Sequence, residues 1–147
     1  MKVKAFLDSN IFNIGIENHN TNCWIIIELA LSGRIALVIS GLTVKEVGAY
    51  FRRAYTRHTG WLVEEFITNI PDVVFAKPAN EKTRDNRETY GLSIEDATLF
   101  SAAQEAGSDY FVSLNRHFLK SKIQKPKILN PKEFLDAMKI KSKTEYE

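Results

Sequence analysis

Three acidic residues, Asp8, Glu46 and Asp96, have the residue type and the spacing to form a catalytic site. Asp8 directly follows residues 3–7, whose apolar pattern is typical of a short buried strand. Glu46 and Asp96 fall in the first turns of two predicted helices. In a parallel sheet such positions lie at the carboxyl ends of strands, where open α/β sheets bind their ligands. Carboxylate oxygens suit Mg²⁺ or Mn²⁺, and three carboxylates without a cation would repel one another, so the cluster predicts a divalent cation.

Each acid also has a purely structural interpretation. The segment 8–10 (Asp-Ser-Asn) is typical of turns and helix caps. Glu46 stands three residues after Thr43, as in a capping box, and Asp96 stands three residues after Ser93 in a similar pattern. An acid near a helix start also complements the helix dipole. A capping role does not exclude metal binding, so both interpretations remain open at this stage.

The elements that must position these acids alternate between strands and helices. Predicted strands cover residues 3–7, 35–40, 73–76, 110–114 and 127–129. Predicted helices cover residues 23–32, 43–57, 60–70, 78–91, 94–106 and 132–138, with a short helix or turn at 115–121. Residues 13–22 are predicted to be a polar loop, and 41–42 a turn. This alternation implies parallel β-α-β units with helices on both faces of one sheet. We expect a single domain at residues 1–139 and a polar, frayed C-terminal tail at 140–147.

Composition narrows the class of protein. The chain has 147 residues, 44% hydrophobic and 26% charged, with a net charge of +2, as in an ordinary globular domain. Cys23 is the only cysteine, which excludes a disulfide framework and a cysteine zinc site. The three histidines show no metal-ligand spacing. No signal peptide or bilayer-spanning stretch is evident, so we expect a cytoplasmic protein without a membrane partner.

Positive charge is concentrated in two parts of the chain and is compatible with a nucleic-acid partner. Arg52 and Arg53 lie near the end of the Glu46 helix. The second group belongs to a basic C-terminal quarter and consists of Arg116, His117, Lys120 and Lys122. We predict that these residues follow an RNA backbone. A solvated basic surface is the alternative interpretation for most of them.

Four segments, taken in order, resemble the successive motifs of PIN domains. They are residues 8–12 (Asp-Ser-Asn-Ile-Phe), 43–46 (Thr-Val-Lys-Glu), 94–103 and 107–118; residues 128–135 also resemble the closing segment of that family. The similarity covers nearly the whole chain, and the size is similar to that of VapC-like toxins of type II toxin–antitoxin pairs.

The resemblance implies an α/β fold with three layers, α/β/α, around a central, mostly parallel sheet of about five strands. It implies a Mg²⁺- or Mn²⁺-dependent ribonuclease that cuts single-stranded RNA. By position, Asp8, Glu46 and Asp96 correspond to the family's first three acids, which hold the metal. Ser9 and Asn10 correspond to supporting residues beside the first acid.

The fourth acidic position departs from the family pattern. Ser113, Asn115 and His117 stand where the family often has Thr, an Asp or Asn, and an Asp. Asn115, as the fourth catalytic residue, offers a neutral oxygen, and Ser113 offers a supporting hydroxyl. Three formal negative charges instead of four should weaken the hold on a second cation more than on the first. A degenerate PIN domain that binds RNA or a protein without cutting is therefore the alternative function, and a role in RNA processing is a third possibility.

The resemblance also implies partners. VapC-like proteins commonly form homodimers and are blocked by an antitoxin protein that covers the acidic site. Two groups of apolar residues offer more apolar surface than one core needs and are compatible with such surfaces, although packing in the core is the alternative interpretation for most of them. They are Trp24, Ile25, Ile26, Ile27, Leu29, Tyr50, Phe51, Tyr55 and Trp61.

Overall fold

The computed structural model describes residues 2–121, 123–145 and 147. Met1, Lys122 and Tyr146 lie outside the described residues, and with them the predicted RNA contact of Lys122. The strands are β1 (Val3–Leu7), β2 (Ile35–Ser40), β3 (Val74–Ala76), β4 (Tyr110–Val112) and β5 (Lys127–Leu129). The helices are α1 (Ser9–Glu17), α2 (Asn22–Leu31), α3 (Gly41–Ala54), α4 (Arg57–Thr68), α5 (Asn80–Tyr90), α6 (Ile94–Glu105), α7 (Arg116–Leu119) and α8 (Pro131–Ala137). No helix in the described part of the chain is long and apolar enough to cross a membrane.

The five strands form one sheet in the order β3-β2-β1-β4-β5, and every neighbouring pair is parallel. The prediction of a central parallel sheet of about five strands is therefore confirmed. β1 lies in the middle, hydrogen-bonded to β2 on one side and to β4 on the other. The carboxyl ends of all five strands consequently meet at one edge of the sheet.

The sheet is covered by helices on both faces, because successive residues of its strands point to opposite sides. On one face, Ala5 and Leu7 belong to a buried cluster that includes residues of α1 to α4 and α8. On the other face, Phe6 belongs to a second cluster with residues of α6 and α7. Phe6 stacks on Phe111 of β4 with ring centroids 5.0 Å apart. The predicted three-layer α/β/α architecture is confirmed.

The first correction concerns residues 13–17 of the predicted polar loop, which are helical; the connection between α1 and α2 is limited to residues 18–21. Helix α1 begins directly after β1, with Asp8 as its N-cap, and continues to Glu17. Ile11, Phe12 and Gly15 are its buried residues, and their three- to four-residue spacing is helical. A Cβ on Gly15 would lie 2.7 Å from Ile27 Cδ1, so the glycine permits close contact with α2. Tertiary packing here outweighs the low helix propensity of the Asn- and Gly-containing segment.

The second correction concerns the start of α3. Ser40, the last residue of β2, is the N-cap, and its Oγ accepts a hydrogen bond from the backbone N–H of Thr43 at 3.2 Å. The predicted turn at 41–42 and the predicted capping box of Thr43 with Glu46 are therefore wrong. The extended backbone of Ser40 already lets its hydroxyl reach the first turn. Glu46 lies in the second turn and has no capping role.

The described part of the C-terminal tail contacts the start of α2. Asn22 is fully buried there. Its Nδ2 donates to the carbonyl of Thr144 at 2.9 Å, and its Oδ1 accepts from the backbone N–H of Lys143 at 2.6 Å. These hydrogen bonds hold the described part of the tail against the domain. The polar sequence, by contrast, predicts a frayed tail.

Candidate active site

The candidate site lies where the chain leaves β1 and β4. β1 and β4 are neighbours in the sheet. The chain leads from β1 to β2 on one side of this pair, and from β4 to β5 on the other side. Such a switch point opens a crevice at the carboxyl ends of the strands. The backbone N–H of Asp8 donates to the carbonyl of Val112 at 3.0 Å, which sets the first residue after β1 beside the end of β4.

Asp8 is buried, with 5% of its surface exposed, and is hydrogen-bonded at both oxygens. Oδ2 accepts from the Ser113 hydroxyl at 2.7 Å, and Oδ1 accepts from the backbone N–H of Ser9 at 2.9 Å. Burial raises the pKa of Asp8 above its usual value, the hydrogen bonds from Ser113 and Ser9 lower it, and the charge of Asp96 raises it further. Asp8 is thus the deepest and most firmly oriented of the three acids.

The residues predicted to support Asp8 are brought together around it. Ser113 Oγ also accepts from the backbone N–H of Asn115 at 2.9 Å. Asn10 Oδ1 accepts from the backbone N–H of Leu114 at 3.3 Å, and its Nδ2 lies 3.5 Å from Asp8 Oδ2. The loops after β1 and β4 are therefore tied to each other through side chains at positions 10 and 113.

Glu46 reaches the same edge of the sheet from the second turn of α3. Its Oε1 is buried and has no hydrogen-bond partner among the described residues. Burial raises the pKa of Glu46 to about 7; the charges of Asp8, Glu95 and Asp96 raise it as well, and a hydrogen bond with Ser9 opposes them. An unpartnered buried carboxylate oxygen is costly unless a proton or a cation satisfies it.

Asp96 occupies the first turn of α6, where Ser93 is the N-cap. The Ser93 hydroxyl accepts from the backbone N–H of Asp96 at 3.1 Å. Burial raises the pKa of Asp96, whereas hydrogen bonds from Ser93 and Asn115 and the nearby charge of His117 lower it. Glu95 raises the pKa further, and the sequence analysis did not assign this neighbour to the site.

Asn115 is engaged at both ends of its amide group. Oδ1 accepts from the backbone N–H of His117 at 3.0 Å, as the N-cap of α7, and the side chain also forms a hydrogen bond with Asp96. Asn115 therefore lies at the predicted fourth position, but its oxygen is already used by the protein. The hydrogen bond from Asn115 lowers the pKa of Asp96.

The donor set fits a hard divalent cation. Its members are carboxylate oxygens, all three acids have raised pKa values, and Glu46 keeps one oxygen unsatisfied. Across residues 2–121, 123–145 and 147, no three acidic, histidine or cysteine side chains are close enough to coordinate one ion directly. An ion held here would have to keep part of its water shell, as Mg²⁺ commonly does.

A pocket of about 480 Å³ opens beside Asp96. Its lining residues are Tyr90, Gly91, Leu92, Ser93, Asp96 and His117. The sequence analysis did not assign Tyr90 or Leu92 to a site. The signal that could have indicated them was their position between the predicted helix end at Gly91 and the helix that carries Asp96.

The predicted RNA-binding residues are divided between two places. Arg116 and Lys120 line another pocket, of about 400 Å³, on the α7 side of the site. Arg52 and Arg53 instead lie in the last turn of α3, about 9–10 Å along the helix axis from Glu46. Arg52 there forms an ion pair with Glu64 of α4 at 3.4 Å. Of the predicted RNA-binding residues that the structure describes, only His117 shares a pocket with Asp96, whereas Arg116 and Lys120 line a separate pocket and Arg52 is paired with Glu64.

Replacing Ser113 by Ala should destabilise the protein, because it removes the hydroxyl that joins Asp8 to the backbone N–H of Asn115. We expect a loss of about 1–3 kcal/mol in the free energy of unfolding, measured by urea denaturation. Ser108 is a matched control, since it is buried and its Oγ has no partner among the described residues. Equal losses for Ser113→Ala and Ser108→Ala would contradict the assigned role of Ser113.

Glu46 should make stability depend on pH in the absence of divalent cations. Its folded pKa of about 7 exceeds its ordinary value of 4.5. The folded state therefore binds this proton more tightly, and the free energy of unfolding falls as pH rises through that interval. In EDTA at pH 8, the free energy of unfolding of Glu46→Gln should exceed that of the parent by about 1–2 kcal/mol. This figure allows for solvent screening of a half-buried group.

The two proteins should be equally stable near pH 4.5, and Mg²⁺ should stabilise only the parent at pH 8. Exposed Glu28 provides the control substitution Glu28→Gln. A pH dependence that Glu46→Gln leaves unchanged would show that Glu46 carries no unfavourable charge.

No protein-family model matches this chain, and no curated protein sequence matches it significantly. Solved structures do match it. The protein PAE2754 from Pyrobaculum aerophilum superposes with a TM-score of 0.64 and 17% identity, covering 93% of this chain and 90% of that one. VapBC2 from Rickettsia felis gives a TM-score of 0.65 and 16% identity, covering 87% and 98%.

A third match is VapC20 from Mycobacterium tuberculosis, described as a toxin that cleaves the sarcin-ricin loop. Its TM-score is 0.53 with 13% identity, covering 73% of this chain and 86% of that one. At these identities the likeness establishes the fold. The chain therefore has the fold of the VapC toxin structures, which confirms the PIN-like fold indicated by its sequence motifs.

Proposed function

We propose that this protein is a metal-dependent endoribonuclease that hydrolyses phosphodiester bonds in single-stranded RNA, as the toxin of a toxin–antitoxin pair. One observation carries the proposal. Three carboxylates with raised pKa values surround the switch point of a VapC-like fold, and Glu46 Oε1 among them has no partner in the described residues. No structural role explains why this oxygen is buried without a partner, because Glu46 neither caps a helix nor forms an ion pair in the described part of the chain.

Asp8, Glu46 and Asp96 are the proposed ligands of Mg²⁺ or Mn²⁺. Such a cation supplies a water of lowered pKa and positive charge beside the scissile phosphate. Because Mg²⁺ retains water, the absence of a ready three-ligand cage in the described residues is compatible with binding through water by some of these acids.

The chain's own residues prepare the site for this chemistry. Ser113 and Ser9 hold Asp8 in one orientation by hydrogen bonds, which lower its pKa and favour the charged form. Asn115 and His117 favour the charged form of Asp96. Glu46 Oε1 is the free acceptor for a water hydrogen. Arg116 and His117 are proposed to contact the phosphate, where fixed positive charge stabilises developing negative charge.

The partners proposed for the chain are an antitoxin protein and a second copy of itself. The solved neighbour from Rickettsia felis is a VapBC assembly. Of the apolar residues noted in the sequence, Ile26, Ile27 and Leu29 are buried in the core, whereas Tyr55 and Trp61 are 55% and 53% exposed. The last two are thus the candidates for a dimer surface.

Replacing Trp61 by Lys should dissociate a homodimer, because it puts a charge into an apolar contact. Sedimentation equilibrium at high micromolar concentration measures the result, with Arg34→Lys, an exposed and charge-preserving change, as control. A parent protein that is monomeric at that concentration would contradict the proposed homodimer.

The nuclease proposal is tested by cleavage of a labelled, mixed-sequence single-stranded RNA. We expect cleavage with Mg²⁺ or Mn²⁺, none with EDTA, and a loss of at least ~100-fold in Asp96→Asn, because a charged ligand is removed. Asp72→Asn is the matched control; Asp72 is an exposed residue before β3, at the opposite edge of the sheet. Cleavage that persists in EDTA, or in Asp96→Asn, would contradict the proposal.

A degenerate binding module is the second candidate function, and the engaged oxygen of Asn115 is the observation that favours it. RNA binding without cleavage, unchanged by Asp8→Ala, would support it. If Asn115→Asp then restored cleavage, the missing fourth carboxylate would be the cause of the inactivity.

A further inference from the structure

One face of α5 leads directly to the acid cluster. Arg84, Arg87 and Tyr90 recur at every third residue, so they lie on the same side of the helix, and all three are exposed. The helix ends at Gly91, whose φ of 67° turns the chain into α6 and Asp96. The last of these three residues, Tyr90, shares the 480 Å³ pocket with Asp96.

Two adjoining pockets make this face continuous with the site. The pocket beside Asp96 includes Gly91 and Leu92. A second pocket, of about 400 Å³, is lined by the same two residues together with Arg84, Arg87 and Glu88. Because both pockets share residues 91 and 92, the arginine pocket and the pocket beside Asp96 are neighbours on the protein surface.

The two arginines are available for a ligand. Neither Arg84 nor Arg87 forms an ion pair or a side-chain hydrogen bond within the described residues, whereas Lys82 of the same helix pairs with Glu105 at 3.0 Å. Glu88 lines the arginine pocket as well, so its formal charge is +1. Arginine forms paired hydrogen bonds to phosphate oxygens, which makes this pocket suitable for a nucleic-acid backbone.

Helix α5 is fixed to the helix that carries Asp96. Asn86 is buried and donates from Nδ2 to Gln104 Oε1 of α6 at 2.8 Å. Ser101 Oγ of α6 accepts from the backbone N–H of Ala79 and donates to its carbonyl, both at 3.0 Å. The arginines and Asp96 are therefore held in a constant arrangement, which reduces the ordering cost of binding a chain along them.

We propose that this face of α5 binds the single-stranded RNA segment next to the scissile bond, with Arg84 and Arg87 on phosphates and Tyr90 stacked on a base. The proposal rests on the proposed nuclease function and assigns part of its substrate path. An aromatic side chain beside paired cationic groups is the combination that binds single strands without regard to sequence. An acidic peptide supplies carboxylates for the arginines but no base for Tyr90, so the combination of arginines and tyrosine favours RNA.

The first test measures binding of a short fluorescent single-stranded RNA by anisotropy in EDTA, which leaves the RNA intact. Between about 50 and 200 mM salt, Arg84→Ala and Arg87→Ala should each lower the affinity and make the slope of log K against log salt less negative by about 0.7. Arg34→Ala, an exposed arginine before β2 at the opposite edge of the sheet, should change neither.

Three further variants separate the effects of base stacking and of charge repulsion from those of the phosphate contacts. Tyr90→Ala should weaken binding by about 5- to 100-fold with an unchanged salt slope, and Tyr90→Phe should keep the affinity. Glu88→Gln should strengthen binding, because it removes a negative charge from the arginine pocket. In cleavage assays, the arginine variants should raise KM with kcat nearly unchanged.

The outcomes distinguish this proposal from the proposed function. Suppose that cleavage depends on Asp96, but that neither Arg84→Ala nor Arg87→Ala changes the affinity, the salt slope or KM. In that case only the path along α5 is overturned. If the parent protein neither binds nor cuts the RNA, both are overturned. A polyglutamate peptide that binds as tightly as the RNA, with the same dependence on Arg84 and Arg87, would overturn the assignment to RNA.

Discussion

Burial of three carboxylates at one edge of a parallel sheet is the constraint on which the rest of the site depends. Burial and neighbouring charges raise the pKa of Asp8, Glu46 and Asp96 together. Hydrogen bonds from Ser113 and the backbone offset this at Asp8, but Glu46 Oε1 has no such partner in the described residues. A bound proton or cation would offset the cost of burying these charges, which is the physical basis of the proposed metal dependence.

Sheet topology explains why the acids meet at all. Asp8 and Ser113 are 105 residues apart in sequence, yet the pairing of β1 with β4 sets them side by side. The adjacent β2 delivers α3 and Glu46 to the same edge. Parallel strands put every carboxyl end on one side, so one short polar segment after each of two central strands is enough to build the crevice.

Recognition of substrate and binding of metal are proposed to reside on one rigid unit. Buried Asn86 and Ser101 fasten α5 to α6, and α6 carries Asp96. A substrate chain that contacts α5 would therefore be positioned relative to the acids without a domain movement. Proximity of this kind is a large part of catalysis when the protein itself does little covalent chemistry.

Much of the fold was predictable from local patterns. Short apolar runs predicted the strands, and their alternation with helices predicted parallel pairing, because both follow from side-chain periodicity. The order of motifs predicted that Asp8, Glu46 and Asp96 are the acids of a PIN-like fold. Helix α1 escaped prediction because its buried face, which includes Gly15, is recognisable only once α2 is known to pack against it.

The sequence by itself determined which residues are acidic and on which elements they lie. Only the tertiary structure decided that Ser40, and not Thr43, caps α3, which released Glu46 from a structural role. Tertiary structure also placed Arg52 against Glu64 and left Arg84 and Arg87 lining a pocket that adjoins the one beside Asp96. Local sequence cannot show these differences, because burial, charge coupling and the partners of a side chain depend on residues that are distant along the chain.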